Sequence, residues 1–282
     1  MSLPVPDHEF AEPLRQLCQL AAAAIMQHYH SDSAADHSVK DDASPLTAAD
    51  MAAHDILLEG LADFGLPVLS EESAEDIQAQ RRQWSRYWLV DPLDGTKEFL
   101  SRTDEFTVNI ALVEAHTAVL GVVAVPVAGT VYFGAAGAGA WCWSEDQWRP
   151  LRTRPLQASQ PVDVLTSRRH RDAALDYYLA NIESEGYQAR RSYAGSALKF
   201  VQLATGEGDC YPRFSPCCEW DTGAGQALVE AAGGAVVDLN GRPLDYNARD
   251  SLFSPNFVAV ADPQQPLWAS LLDRQRAHPG VN

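Results

Sequence analysis

The stretch Tyr87-Trp-Leu-Val-Asp91-Pro-Leu-Asp94-Gly-Thr96 decides how this chain is read. Its first four residues form a short apolar run that stops at Asp91-Pro92, as a buried strand ending at a loop would. Two carboxylates three residues apart, with a proline fixing the first bend, can point into one volume. Gly95 lets the backbone approach a ligand, and Thr96 opens a helix through Lys97, Glu98 and Phe99. Free N–H groups of Gly95 and Thr96 at such a start suit a phosphate oxygen. Hard cations such as magnesium take carboxylate and carbonyl oxygens, and they bind phosphate alongside a few protein ligands. Asp, Pro and Gly are equally common turn formers, so the string needs company before it means metal.

Company lies on both sides. Upstream, Val68-Leu69 begins a short strand that leads directly into Ser70-Glu71-Glu72-Ser73. Before it, Thr47-Ala-Ala-Asp50 starts a helix in capping-box order, continuing through Met51, Ile56, Leu57 and Leu61. Downstream, Glu219-Trp-Asp221-Thr-Gly-Ala opens a helix that stops at Gly233-Gly234. Each acid has an ordinary reading alone: a solvated surface pair for Glu71-Glu72, an N-cap for Asp221 or Asp50. Four acidic elements, each just beyond a strand or at a helix start, form a pattern that those readings do not explain.

Around these elements the periodicity is that of a mixed α and β protein. Leu14, Leu17, Ala21, Ala24 and Ile25 mark a helix from Phe10 to about His30, followed by a polar stretch, residues 31–44, that reads as a loop. Segments Phe106–Glu114, Val119–Val125, Val131–Ala135 and Ala140–Trp143 come in quick succession, the cadence of an antiparallel meander. A strand at Val162–Ser167 and a helix at Arg171–Glu183 begin a second half that alternates the two, ending with strand Phe257–Ala261 and a helix around Pro266–Arg274. The Arg-, Pro- and Gln-rich break at Trp148–Gln160 is the expected boundary between a domain over 1–155 and another over 156–282. The class is α/β: an α+β first half leading into an α/β second half.

Composition narrows the function. With 38 Asp and Glu against 21 Lys and Arg, the net charge is −17, which disfavours polymeric nucleic acid as a partner. No apolar run approaches the roughly 20 residues of a membrane-spanning helix, and the N-terminus lacks the features of a secretory signal. Five cysteines without a CxxC pair fit free thiols in a reducing cytoplasm. The acids are too dispersed for a calcium-binding loop.

Together, Asp50, Glu71-Glu72, Asp91-Pro-Leu-Asp94-Gly-Thr96 and Trp220-Asp221 resemble the lithium-sensitive, magnesium-dependent phosphatase superfamily. That superfamily includes inositol monophosphatases, fructose-1,6-bisphosphatases and 3′(2′),5′-bisphosphate nucleotidases. The resemblance runs from about Lys40 to Ala261. Ser44-Pro-Leu-Thr-Ala-Ala-Asp50, Thr96-Lys-Glu-Phe99, Gly195-Ser-Ala-Leu-Lys-Phe200 and Tyr211-Pro-Arg-Phe214 are most similar to the CysQ-type nucleotidases. Ser215-Pro-Cys-Cys218 departs from the expected Gly-Pro and small polar residues, and it makes redox sensitivity of the pocket an open question.

The resemblance implies a layered α-β-α-β-α sandwich with the site between its halves. It implies that Glu71, Asp91, the Leu93 carbonyl, Asp94 and Asp221 hold two or three Mg2+ ions. Thr96, with Asp50 as its acidic partner, would orient the attacking water, and Glu71 would accept its proton. The substrate would be held by Glu71, Leu93, Asp94, Gly95, Thr96, Gly195, Ser196, Lys199, Arg213 and Asp221. Lys199 and Arg213 are the candidates for a second phosphate, with Arg168, His170 and Lys40 as further cations. Tyr211 or Phe214 would stack on a base. The implied reaction removes the 3′-phosphate of adenosine 3′,5′-bisphosphate, or of its sulfated analogue, in a cytoplasmic enzyme of sulfur metabolism with room for peripheral contact at the inner membrane face and for oligomers. The alternatives are an inositol monophosphatase and a non-catalytic metal-binding regulator of the same fold.

Overall fold

A computed structural model of the chain describes residues 6–30, 45–73, 75–168 and 173–277. Two helices come first, α1 (Ala11–Tyr29) and α2 (Pro45–Ala62). They pack on a seven-stranded sheet whose strands lie in chain order: β1 (Val68–Ser70), β2 (Arg86–Asp94), β3 (Thr107–Glu114), β4 (Thr117–Val125), β5 (Thr130–Ala135), β6 (Gly139–Ser144) and β7 (Gln147–Leu151). Between them lie α3 (Glu75–Gln80), a 3-10 turn (Arg81–Gln83) and α4 (Thr96–Leu100). All neighbouring strands are antiparallel except β1, which runs parallel to β2. The expected meander is present, extended by β7 in the stretch read as a break.

The second sheet has the order β11-β12-β10-β8-β9, from β8 (Val162–Thr166), β9 (Ala189–Tyr193), β10 (Cys210–Arg213), β11 (Ala235–Asp238) and β12 (Phe257–Val260). Its centre is parallel, and β12 runs against both of its neighbours. The helices here are α5 (Ala173–Ser184), α6 (Leu198–Ala204), α7 (Glu219–Ala231) and α8 (Pro266–Ala277). The chain passes from one sheet to the other between Leu151 and Val162.

Side-chain alternation sets the layers. Trp88 and Val90 of β2 point into one core with Leu14, Ile25 and Leu57 of the first two helices. Tyr87 and Leu89 point the other way, into a central core with Phe200 of α6, Leu228 of α7, and Tyr211 and Phe257 of the second sheet. The far face of that sheet packs Val164, Cys210 and Val258 against Tyr178 of α5 and Leu271 of α8. The result is an α-β-α-β-α sandwich, with α6 and α7 buried as its middle layer.

Two boundaries beside acidic residues differ from the sequence reading. β2 does not end at Asp91; it continues through Pro92 to Asp94 with a register shift against β3. Pairing with β3, resumed at Asp94–Thr107, carries the strand past the proline, which a bulge accommodates, while β1 pairs only as far as Val90. Helix α2 starts at Pro45 rather than Thr47, a residue suited to a first helical position, so Asp50 lies inside the helix. Helix α7 starts at Glu219, as read, with Cys218 as N-cap; Asp221 is its third residue, and its carboxylate closes a capping box on the Cys218 N–H.

Candidate metal and phosphate site

The parallel β1–β2 pair brings the first two acids together. Ser70 is in register with Val90, and the Glu71 N–H donates to the Val90 carbonyl at 3.0 Å. Glu71 and Asp91 therefore leave adjacent strands at one level. The turn carrying Glu71 is closed by Ser70 N–H to Ser73 Oγ (2.9 Å) and Ser73 N–H to Ser70 O (3.0 Å). The buried His54 ring of α2 lies 2.9 Å from Ser70 Oγ, which also accepts the Glu72 N–H at 3.3 Å.

The bulge in β2 positions the next pair. Asp91 faces Asn109 and Asp94 faces Thr107, so Pro92 and Leu93 stand opposite the single residue Val108. Asp91 Oδ1 accepts the Leu93 N–H at 3.0 Å, and Asn109 Nδ2 donates to Asp94 Oδ2 at 3.3 Å. Asp221 comes from the other direction, on α7, with its carboxylate accepting the Cys218 N–H at 2.7 Å. One carboxylate oxygen from each of Asp91, Asp94 and Asp221 lies within 4.8 Å of the others.

Crowding of like charges away from water raises every one of these acids. Burial, then the charges of Asp94 and Glu71, push Asp91 well above the carboxylate range. Desolvation followed by the Asp221 charge pushes Glu71 and Asp94 up to about 7. Asp50 rises to about 8 through desolvation and the adjacent Glu72 charge. The nearby cations are already engaged: Lys199 Nζ donates to the Ala194 and Ser196 carbonyls (3.2 and 2.6 Å), and Arg213 to those of Ser215 and Pro216 (3.1 Å each). Hard oxygen donors converging on one point with too little positive charge around them fit a hard divalent cation.

A pocket of about 140 Å³ opens from Asp94 and Asp221, lined among others by Gly95, Gly195, Ser196, Lys199, Tyr211 and Arg213. Gly95 turns the chain into α4 at φ +102°, a conformation that favours glycine. At Gly195 the reason is space: a Cβ would sit 2.8 Å from the Glu105 carbonyl oxygen and 2.6 Å from Glu98 Cγ. Ser196 holds a buried hydroxyl that none of the described residues bonds.

The structure thus gathers Glu71, Asp91, Leu93, Asp94, Gly95, Thr96 and Asp221 at strand and helix ends, with Asp50 beside them inside α2, and Gly195, Ser196, Lys199 and Arg213 around the adjoining pocket. Thr96 is exposed as the first residue of α4, while Asp50 lies against Glu72. Other expectations fare differently. Tyr211 and Phe214 are buried; Tyr211 packs at near right angles to Phe200 and Phe257 while lining the pocket, and Phe214 tilts against Tyr178. Arg168 is ion-paired with Glu105. Lys40 and His170 lie outside the described residues. Cys217 and Cys218 are free thiols raised to about 12 by burial.

Sequence reasoning missed Thr107, Asn109, His54, Ser70 and Glu105, which hold the acids and the Gly195 turn in place. Thr107 and Asn109 had a visible signal, as polar residues inside the apolar run Phe106–Val113. The partners of His54 and Glu105 become neighbours only in the folded chain.

Comparison with known proteins follows the same lines. The model of the inositol monophosphatase family matches residues 7–272. The 3′(2′),5′-bisphosphate nucleotidase CysQ of Salmonella typhimurium is 45% identical over 86% of this chain and 98% of its own length. The protein of the same name from Escherichia coli K12 is 44% identical over the same shares. The crystal structure of CysQ from Bacteroides thetaiotaomicron superposes with a TM-score of 0.82 at 34% identity, covering 91% of this chain and 99% of that one. An inositol monophosphatase from Zymomonas mobilis shares the fold at a TM-score of 0.75 and 21% identity, over 95% of this chain and 99% of its own. The chain belongs to the inositol monophosphatase family.

Proposed function

We propose that the chain is a magnesium-dependent 3′(2′),5′-bisphosphate nucleotidase that converts adenosine 3′,5′-bisphosphate to AMP and phosphate. The observation carrying this reading is the junction of the Asp91–Asp94–Asp221 cluster with a pocket that has Lys199 and Arg213 in its lining. The relatives named for this activity are similar over nearly the whole chain.

Glu71, Asp91, the Leu93 carbonyl, Asp94 and Asp221 would hold Mg2+. When bound, the ions neutralise phosphate oxygens and acidify a water molecule. Thr96, backed by Asp50, orients that water in line with the 3′-oxygen, and Glu71 accepts its proton. The new P–O bond forms as the bond to the ribose oxygen breaks, and the 3′-oxygen leaves as a hydroxyl with a proton from solvent. Gly95 and Thr96 amides receive the non-bridging oxygens. Lys199 and Arg213 supply the positive field for the second phosphate, and Ser196 offers a hydroxyl to it. The sulfated analogue keeps the same 3′-phosphate and carries its sulfuryl group on the 5′-phosphate, so the same attack on the 3′-phosphate applies to it. The halves 1–155 and 156–282 act as two domains with the site between them. No described helix is long and apolar enough to cross a membrane, and five free cysteines favour a reducing cytoplasm.

The test is phosphate release by the purified protein from adenosine 3′,5′-bisphosphate and from inositol 1-phosphate, in Mg2+ with and without Li+. Fast, lithium-inhibited release from the nucleotide alone supports the reading. The reverse preference moves the chain to the inositol branch, and no release from either removes the catalytic assignment.

A further inference from the structure

Glu71 and Asp221 reach the site from opposite sides, on a turn after β1 and at the start of α7. A buried polar network outside the site joins the segments that carry them. Arg81, in the 3-10 turn downstream of Glu71, is only 4% exposed. It donates to Asn247 Oδ1 at 2.6 Å and to the carbonyls of Arg249 (3.1 Å) and Asp250 (2.5 Å). Asn247 returns a bond from Nδ2 to the Arg81 carbonyl (2.6 Å), and its N–H donates to Glu219 Oε2 at 2.7 Å. Glu219, fully buried, is the first residue of α7 and also accepts from Arg249 at 3.3 Å. Arg82 donates to the Asn247 carbonyl at 3.1 Å. The same loop runs alongside the approach to α7, through Glu219 N–H to Leu252 O and Ser254 N–H to Cys217 O, both 2.8 Å.

A buried carboxylate beside a site already crowded with carboxylates is a costly way to anchor a helix. Apolar packing usually serves stability as well or better. What a directional, mutually bonded network adds is fixed geometry. Here it ties the chain after Glu71 to the chain just before Asp221.

We infer that Arg81, Asn247 and Glu219 are positioning residues for metal binding. They set the spacing between the Glu71 turn and the Asp221 helix start, so that divalent-ion affinity depends on them more than the chemical step does. The inference rests on the metal-site reading given under Proposed function.

Asn247→Gly is the sharpest probe. Asn247 has φ +55°, which glycine adopts freely, and its backbone N–H to Glu219 survives while both side-chain bonds to Arg81 are lost. Glu219→Gln removes the charge and keeps one acceptor. Each full-length variant is titrated with Mg2+ by calorimetry, its phosphate release is followed across Mg2+ concentrations, and its melting temperature is recorded. Both variants should bind Mg2+ about 10-fold more weakly, with half-saturating Mg2+ raised by the same factor and kcat at saturation close to wild type. Unchanged Mg2+ affinity in a folded variant, whatever its melting temperature, overturns the inference and leaves the network a purely structural clamp. A wild type that binds no Mg2+ overturns the metal reading itself, and the inference with it. Should Glu219→Gln fail to fold, Asn247→Gly decides alone.

Discussion

Two groups of buried or half-buried aspartates stand at opposite ends of the parallel strands of the second sheet, and they differ in what surrounds them. At the N-terminal ends, Asp163 and Asp209 are gripped by arginines. Arg154 bonds both, at 2.7 and 2.8 Å, Arg190 pairs with Asp163, and the Asp163 N–H donates to Asp209 at 2.7 Å. Despite burial, the arginine bonds hold Asp163 below the usual carboxylate range. Near the C-terminal ends, Asp91, Asp94 and Asp221 meet without such partners, and all are raised. The carbonyl-bound Lys199 and Arg213 only moderate the repulsion. Protein cations complete the first group, which makes it a fastener for the chain between the two sheets. The second has no arginine partner of that kind among the described residues, which suits it to a cation from outside, and it lies where open α/β sheets bind ligands.

The contrast is broken most severely by Asp91→Asn. Removing one converging charge should lower phosphate release about 1,000-fold, because metal stabilisation of the transition state is worth several kcal/mol. The same change should raise the melting temperature in EDTA, since it relieves repulsion. A variant that keeps wild-type activity would show that Asp91 holds no catalytic ion.

Arg154→Ala should do the reverse. Leaving Asp209 buried without its arginine costs about 3 kcal/mol of stability, measurable by urea unfolding, with Arg190 still covering Asp163. Activity at low temperature should stay near wild type.

The two groups also oppose each other in pH. Asp50, Glu71 and Asp94 have folded-state values raised to about 8, 7 and 7. The metal-free folded protein therefore holds protons that the unfolded chain releases above pH ~4. Their contribution is full below pH ~4 and is lost as pH rises through 7 to 8. Asp163, lowered, works the other way: its contribution is present above the unfolded value and lost as pH falls below it. Thermal scans in EDTA should thus show stability falling from pH 5 to pH 8. Mg2+ should flatten that fall and raise the melting temperature at pH 8 by several degrees, on the order of 2–4 °C per kcal/mol for a chain of this size. A Mg2+ shift that is no larger at pH 8 than at pH 5 would mean the carboxylates do not share the ion.

The smallest effect is expected at Cys218. Serine is a preferred N-cap, so Cys218→Ser should keep α7 and change phosphate release by less than about twofold, given the few tenths of a kcal/mol at stake. With the thiols raised to about 12, mild oxidants should act slowly on the wild type. Rapid inactivation that this variant abolishes would reveal a redox role.

The acids were legible in the sequence because each sits at a break in periodicity, where Val90 gives way to Asp91 and where Cys218-Glu219 opens an apolar helix. The meander and the alternating second half were legible for the same reason: one-dimensional patterns of apolar residues determine strand and helix. What the sequence could not determine is anything that depends on distance across the fold. The continuation of β2 through Pro92 comes from pairing with β3, not from local propensity. The edge contacts of Tyr211 with Phe200 and Phe257, and its place in the pocket lining, come from three separate elements. Lys199 and Arg213 looked like free cations until carbonyls from their own loops claimed them. His54 on Ser70, Glu105 on Gly195 and Arg81 on Asn247 join residues far apart in the chain. Local chemistry therefore determined which residues could carry the reaction. Tertiary packing decided which charges stay uncompensated, because a buried carboxylate's state is set by neighbours that only the folded chain supplies.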